Sequence, residues 1–285
     1  MDKSKLSNLK EIVYRACVLL LLILIWQRAS SQNRGIDVTD GSDPATMISK
    51  ITTDFESYAF VGDARYYAIR LGYDYGLANR KHLVGMSIPF VHTIFIGDFG
   101  GYENTTGIGD LKMRYMYVPI QKNSMGGLQR LSTYFEVTAP TGEYESGKGA
   151  GAWMYKPGII FTYQSGPSVS FYPEIKFQFS GGDANSVGGG DGAPDQGDPE
   201  KDGPTQNLSL SIPAVILVRN WDGWFSLNAQ YIQSFSENTY YLFLRTDFGK
   251  MIGNKTAASL NISKFIAGQP LLNVLVQARV QFFMR

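Results

Sequence analysis

The sequence predicts an all-β protein, an antiparallel transmembrane β-barrel of about 12 strands that follows a cleaved N-terminal signal peptide. Three observations support this prediction. Segments of alternating apolar and polar residues recur along the chain, the connections between them are by turns short and long, and an apolar run follows basic residues at the N-terminus. Charged residues make up only 18% of the 285 residues and aromatic residues 13%, which favours a protein that exposes apolar surface to lipid.

The N-terminus has the order of regions found in a secretory signal. Several basic residues lie within residues 1–15, an apolar run of 11 residues spans 16–26, and the small residues Ala29 and Ser31 follow. The alternative, an uncleaved anchor helix, is disfavoured because spanning a bilayer takes roughly 20 residues. We predict cleavage between Ser31 and Gln32. The chain then divides into a signal peptide (1–31), a periplasmic N-terminal segment (32–50) and an outer-membrane barrel (51–285).

The charge and cysteine content of the mature chain narrow the possible functions. Without residues 1–31 the chain keeps 21 basic and 23 acidic residues. A nucleic-acid-binding protein would show a basic excess, so no nucleic-acid partner is expected. The only cysteine, Cys17, leaves with the signal, so the exported protein is expected to be held together by its sheet without disulfides.

The stretch 168–180 shows the alternation clearly. Apolar residues such as Ile175 recur at every second position, and Glu174 and Lys176 occupy the opposite face; in the last segment, Leu272 begins the same kind of apolar face. A soluble β-sandwich shows this pattern too, with its apolar face in the core, so alternation alone does not decide between the two folds. Strands of roughly 10–13 residues favour the barrel, because they suit a tilted membrane crossing.

The connections predict the orientation of the barrel. Short ones lie at 77–81, 121–127, 165–168, 220–223 and 253–255, and longer ones at 93–107, 140–152 and 181–205. Outer-membrane barrels keep their short turns on the periplasmic side, so we expect the long connections outside the cell.

The strand count depends on parity. Eleven strands follow residue 64, and a strand over 51–60 completes an even number with both chain ends on the periplasmic side. Proline cannot donate to a strand ladder, so we expect bulges or shifted strand ends at Pro89, Pro119, Pro157, Pro173 and Pro213.

Two stretches, 107–115 and 135–163, carry motifs that resemble a known family. The first has Gly107, Gly109 and Asp110 before Leu111, and the second has Pro140, Thr141 and Gly142, a loop, and then Trp153, Pro157 and Gly158. The pattern resembles the outer-membrane barrels of the MetA-pathway of phenol degradation, over about 60 residues. The resemblance implies a barrel that passes small compounds, many of them hydrophobic or aromatic.

Charged residues on the polar faces of the strands are the best functional candidates. In a barrel of about 12 strands the side chains fill much of the lumen. We therefore hypothesise a narrow or gated channel, with a non-conducting structural, adhesive or assembly barrel as the alternative and a membrane-embedded lipid-modifying enzyme as a second alternative. The candidate lumen-lining residues are Arg70, Asp74, Lys112, Arg114, Glu136, Lys156, Glu174, Lys176, Arg245, Asp247 and Arg279.

No catalytic constellation stands out in the sequence. The two histidines, His82 on a polar face and His92 at a strand end, have no serine arranged with them as a nucleophile and base. The acidic, glycine-rich loop 181–205 matches no calcium-binding motif and is expected to be solvated. We therefore predict no enzyme, cofactor or metal. The expected partners are outer-membrane lipid, the barrel-assembly machinery and a small-molecule solute, in a Gram-negative bacterium.

Overall fold

The computed structural model describes residues 36–60, 65–77, 80–94, 104–122, 126–144, 146–181, 205–268 and 272–284. The predicted signal peptide, its cleavage site at Ser31 and Gln32, and most of the acidic loop lie outside these residues. No helix within the described ranges is long and apolar enough to cross a membrane.

The chain forms a closed antiparallel barrel in which each strand pairs with its neighbours in sequence and the last pairs with the first. Two of the twelve crossings, at residues 106–121 and 169–181, are each interrupted once. This confirms the predicted strand number, including the first strand. The strands are β1 (Lys50–Phe60), β2 (Arg65–Gly76), β3 (His82–Ile94), β4 (Thr106–Ile108 and Leu111–Gln121), β5 (Gly127–Ala139), β6 (Trp153–Gln164), β7 (Val169–Phe171 and Glu174–Gly181), β8 (Gln206–Val218), β9 (Gly223–Ser234), β10 (Thr239–Ile252), β11 (Thr256–Gly268) and β12 (Leu272–Phe283).

The apolar faces of the strands look outward. On β8, Ile212 is 61% exposed, whereas its neighbour Ser211 is only 4% exposed inside the lumen. In the stretch 168–180, Ile175 is exposed on the outer face, and Glu174 accepts hydrogen bonds from the hydroxyls of Tyr134 and Ser211. A soluble sandwich would bury the apolar face, so this arrangement confirms the transmembrane barrel.

One residue of the last strand departs from the predicted alternation. Leu272 was expected on the outer apolar face but is buried in a cluster of side chains at the inner end of β1, with Phe60 and Leu275. The pairing of β1 with β12 shifts register between Ala59 and Phe60. Because a shift by one residue turns a side chain to the other face of a sheet, the bulge explains the difference.

The prolines lie where the ladders are interrupted, as expected. Pro119 falls in a register shift between Tyr117 and Ile120. Pro173 lies in the break of β7, where its carbonyl and that of Pro213 accept backbone hydrogen bonds of 2.9 Å from the neighbouring crossings. The carbonyl of Pro89 accepts one from Gly109 in the break of β4, and Pro157 stands where the β6–β7 ladder skips between Tyr155 and Gly158.

Residues 36–49 form a segment inside the barrel, here called the plug. It contains helix α1 (Val38–Ser42), which begins with a capping box: the Asp37 carboxylate accepts the Thr39 N–H at 2.8 Å, and the Asp40 carboxylate accepts the Asp37 N–H at 3.0 Å. Inward side chains from β3 round to β12 surround its apolar residues, so the plug lies within the lumen at the short-turn end. The surrounding residues are Leu83, Met116, Val118, Ile160, Tyr172, Val215, Leu217, Trp224, Met251, Ala257 and Phe283. The sequence analysis did not indicate that this segment enters the barrel.

Candidate functional site in the barrel lumen

A cavity of about 440 Å³ occupies the middle of the lumen. The plug residues Gly41, Ser42, Asp43 and Pro44 line it, together with inward side chains of the strands. Eight of the eleven predicted lumen-lining residues border it: Arg70, Asp74, Lys112, Arg114, Glu136, Arg245, Asp247 and Arg279. The other three, Lys156, Glu174 and Lys176, lie on the inner faces of β6 and β7 away from the cavity.

Four further charged residues border the cavity that sequence reasoning did not single out. Lys50, Asp54 and Glu56 lie on the same face of β1, with Thr52 between the first two, and Asp43 belongs to the plug. The alternation in β1 was a signal that could have identified the first three. Together with the eight predicted residues they give six cationic and six anionic side chains among the described residues of the cavity wall. The wall is therefore highly charged but balanced.

Ion pairs link β12, β1 and β2 across the lumen wall. The Asp54 carboxylate accepts hydrogen bonds from Arg279 Nε at 2.7 Å and Nη2 at 3.0 Å. The Glu56 carboxylate accepts from Arg70 Nε at 3.2 Å and Nη2 at 3.1 Å. Both carboxylates are buried, so these charge-assisted hydrogen bonds offset the cost of removing them from water.

A second set of ion pairs continues along β2, β4, β5 and β6. Arg114 donates to Asp74, and Lys156 Nζ lies 3.6 Å from Glu136 Oε1. Lys50 Nζ is 4.0 Å from the same Asp74 carboxylate.

The part of the wall formed by β8 and β9 is uncharged. Its cavity-lining residues are Pro213, Val215, Trp224, Ser226 and Asn228. The indole Nε1 of Trp224 donates to Asp247 Oδ2 at 2.5 Å, which fixes the ring at the floor of the cavity beside the plug. A solute in the cavity thus meets charges on one side and uncharged side chains, among them Ser226 and Asn228, on the other.

Buried side chains lie on both sides of the cavity along the barrel. At the short-turn end, the plug is held by an ion pair between Asp43 and Arg130 of β5 and by packing of Gly41 against Trp224. At the long-loop end, apolar inward side chains form what we call the loop-end cluster. Its members are Tyr58, Phe60, Tyr66, Ala68, Val91, Ile232, Tyr241, Phe243, Leu272 and Leu275, with Phe265 packed against them.

The motif residues lie at the long-loop end and on β6. Gly107, Gly109 and Asp110 contact the connection that starts at Pro140, Thr141 and Gly142. Trp153 is exposed on the outer face at the start of β6, where an aromatic girdle belongs. Pro157 is in β6, and Gly158 leaves room for the Tyr134 ring, whose Cζ lies 2.3 Å from the position of a Cβ at residue 158.

Both histidines belong to the outer face. His82 was expected on a polar face, but its Nδ1 lies 2.7 Å from the hydroxyl of Tyr115, and its ring stacks on Tyr117 with centroids 4.9 Å apart. These tyrosines point outward near the short turns, so His82 is part of the aromatic girdle. His92 Nδ1 lies 2.8 Å from Thr106 Oγ1. Within the described residues no three histidine, cysteine or acidic side chains are grouped so as to hold a metal ion.

Comparison with known families identifies the fold family. The family described as "Putative MetA-pathway of phenol degradation" matches residues 37–212, more than half of the chain. The chain belongs to this family. The match confirms the resemblance carried by the Gly107–Gly109–Asp110 and Pro140–Thr141–Gly142 motifs.

Solved structures similar to this member of the phenol-degradation family are outer-membrane barrels. The COG4313 outer membrane channel from Pseudomonas putida F1 is 12% identical with a TM-score of 0.64, over 83% of this chain and 96% of that chain. The KdgM porin in complex with disordered oligogalacturonate is 9% identical (TM-score 0.54; 83% and 99% covered), and the NanC porin 8% identical (TM-score 0.54; 83% and 100% covered). No curated protein matches the chain. At these identities the likeness shows the fold.

Proposed function

We propose that this protein is a gated channel for small solutes in the outer membrane of a Gram-negative bacterium. The observation that carries the proposal is a polar, charge-lined cavity in a closed barrel whose apolar residues face outward. The barrels it resembles in fold include proteins named as a channel and as porins, which supports the same role. By the usual orientation of such barrels, the plug and the short turns face the periplasm.

The chemistry of the lumen favours transport over a purely structural role. A barrel that serves only as a scaffold gains nothing from twelve charges around an internal space, because apolar side chains of similar volume stabilise an interior as well or better. Charged side chains around a space of this size are suited to a hydrated path with a binding position in it. No observation favours an enzyme: the similar barrels described above are a channel and porins, and no histidine or cysteine lies on the described cavity wall.

The chemistry of the lumen also limits the classes of solute that fit the cavity. A plain hydrocarbon in this cavity would displace water from ion pairs without replacing its hydrogen bonds, which is costly. A small solute with hydroxyl or carboxylate groups can accept hydrogen bonds from cationic side chains of the wall such as Lys50, and an aromatic ring can contact the uncharged part of the wall formed by β8 and β9. We therefore expect small polar or amphipathic solutes, including aromatic compounds with such groups, as the family description suggests.

The test is the conductance of the refolded mature chain (residues 32–285) in planar bilayers, with liposome swelling for uncharged solutes. A difference in gel mobility between boiled and unboiled protein serves as the folding control. Asp43→Arg and Arg130→Asp each break the ion pair that holds the plug, and we expect each to raise conductance several-fold. The double exchange, Asp43→Arg with Arg130→Asp, restores an opposite pair and should close the channel again.

A correctly folded barrel that passes neither ions nor solutes in any of these variants would rule out the channel. That result would favour the structural barrel. If the single variants conduct and the double exchange does not reverse the effect, the channel stands but the Asp43–Arg130 pair is not its gate.

A further inference from the structure

The family motif forms a set of contacts at the long-loop end that the proposed channel does not by itself explain. Residues 140–152, which connect β5 and β6, are here called the latch loop. Asp110, in the break of β4, is 4% exposed. Its Oδ1 accepts the Gly142 N–H at 2.9 Å and its Oδ2 accepts the Ala150 N–H at 2.7 Å. The Asp110 carboxylate thus binds the latch loop near both of its ends, at Gly142 and at Ala150.

Thr141 makes a second attachment beside the first. Its Oγ1 donates to the Gly109 carbonyl at 3.0 Å and accepts the Leu111 N–H at 2.9 Å. These two groups flank Asp110 in the break of β4, so the hydroxyl takes the place of the ladder hydrogen bonds that the break removes. The Asp110 and Thr141 contacts together explain why β4 is interrupted here.

The glycines of the motif leave space for the backbone of the latch loop. A Cβ at Gly109 would lie 2.9 Å from the Lys148 carbonyl oxygen, and one at Gly142 would lie 2.6 Å from the same atom. A Cβ at Gly149 would lie 2.5 Å from Asp110 Oδ1. The backbone therefore rests directly on the inner wall of β4, closer than any other residue type would allow.

The latch loop places two charged side chains at this end of the barrel. The Lys148 side chain lies across Gly107, with Cδ 2.8 Å from the position of a Cβ there, and is 12% exposed. Its Nζ is 2.7 Å from Glu143 Oε2, which also accepts from Ser146 Oγ at 2.6 Å. These hydrogen bonds hold the pKa of the Glu143 carboxyl below its usual value, and the hydrogen bond from Lys148 has the largest effect. The pair therefore stays charged at neutral pH.

We propose that Asp110 is a positioning residue that holds the latch loop against the inner wall, so that Lys148 and Glu143 set the solute selectivity of the outer mouth. The selectivity part rests on the proposed channel function. The attachment of the loop does not, and it can be tested separately.

The attachment is tested by limited trypsin digestion of the folded full chain in detergent, with the cleaved bond identified by mass spectrometry. Lys148 is the only lysine or arginine in residues 140–152. We expect slow cleavage after Lys148 in the wild type. In Asp110→Asn cleavage should be at least about tenfold faster, because the amide NH₂ opposes one of the two N–H groups and the charge-assisted bonds are lost.

Two further variants make this test specific. Thr141→Val removes the second attachment without touching Asp110 and should also speed the cut. Asp222→Asn, in the turn between β8 and β9 at the opposite end, removes a carboxylate of the same kind and should leave the rate unchanged. Equal cleavage rates in wild type, Asp110→Asn and Thr141→Val would overturn the attachment.

Selectivity is tested by reversal potentials in a salt gradient, measured in the Asp43→Arg background with the plug released. Lys148→Glu should shift preference towards cations when Asp110 is present, and the shift should fall by at least half when Asp110→Asn is added. A shift of the same size in both backgrounds would overturn the positioning role, since a loop held by other contacts needs no Asp110. If no variant conducts while the trypsin result holds, the channel and the selectivity claim both fail and only the latch remains.

Discussion

Arg114 Nη2 donates to both carboxylate oxygens of Asp74, at 3.0 Å each, although strand β3 separates the two residues. In the ladders, Asp74 of β2 pairs with Gly85 of β3, and Gly85 pairs with Arg114 of β4. A Cβ at residue 85 would lie 2.2 Å from Asp74 Oδ1. The ion pair therefore passes over a strand at the one position where that strand has no side chain.

We predict that Gly85→Ala breaks this bridge, because the added methyl group occupies the space of the carboxylate. The free energy of unfolding should fall by about 1–3 kcal/mol, as for other overpacked sites. Gly72→Ala is the matched control, since a Cβ there has no neighbour closer than 3.6 Å. Urea unfolding of the refolded barrels, followed by gel mobility, measures both; equal midpoints for the two variants would contradict the prediction.

The Glu56–Arg70 pair should show strong energetic coupling. Both side chains are less than a tenth exposed, so removing either partner leaves a buried charge. We expect Glu56→Gln and Arg70→Gln each to cost about 3 kcal/mol and the double variant to cost clearly less than their sum. Lys250→Gln, on the outer surface beside Trp221, should change stability by about 0.5 kcal/mol or less. Additive effects in the double-mutant cycle would show that the pair contributes no specific interaction.

The outer face should reject a charge in the middle of a strand. Ile212 is central in β8, and Ile212→Arg should destabilise the inserted barrel by about 2–4 kcal/mol. Gln206→Arg puts the same side chain on the same face at the strand end, where the cost should be about 0–1 kcal/mol. Unfolding from lipid vesicles gives both values, and a small cost at residue 212 would argue against its contact with lipid.

The loop-end cluster should restrict passage of solutes. Tyr58 is 1% exposed, packs edge-on against Tyr66, and donates its hydroxyl to Glu56 at 3.1 Å. Tyr58→Ala should cost about 3 kcal/mol and, in the Asp43→Arg background, raise liposome swelling rates. Tyr58→Phe keeps the ring and should leave those rates at the level of the background. If both variants swell alike, the Tyr58 ring does not restrict the passage of solutes.

Much of the barrel could be predicted because its period-two pattern is local. Ile175 and Glu174 already show the two faces, and the prolines mark the breaks in β4 and β7. The features that were missed depend on contacts between distant residues. Nothing around Ala45 or Met47 indicates that a short segment enters the lumen, and the alternation of β12 alone does not reveal the one-residue bulge at Asn273 that turns Leu272 inward. The lumen-lining charges could be proposed from alternation, but their partners follow from strand register.

The pairing of Lys50 with Phe283 constrains the order in which the barrel can be assembled. Strand β1 pairs with β2 along one edge and with β12 along the other. The second edge therefore stays unpaired until the final dozen residues of the described chain have been synthesised and have reached β1. Such an edge is a template for pairing with another chain. Removal of β12 would therefore leave two open edges, at β1 and β11, and turn a sealed cylinder into a sheet prone to aggregation.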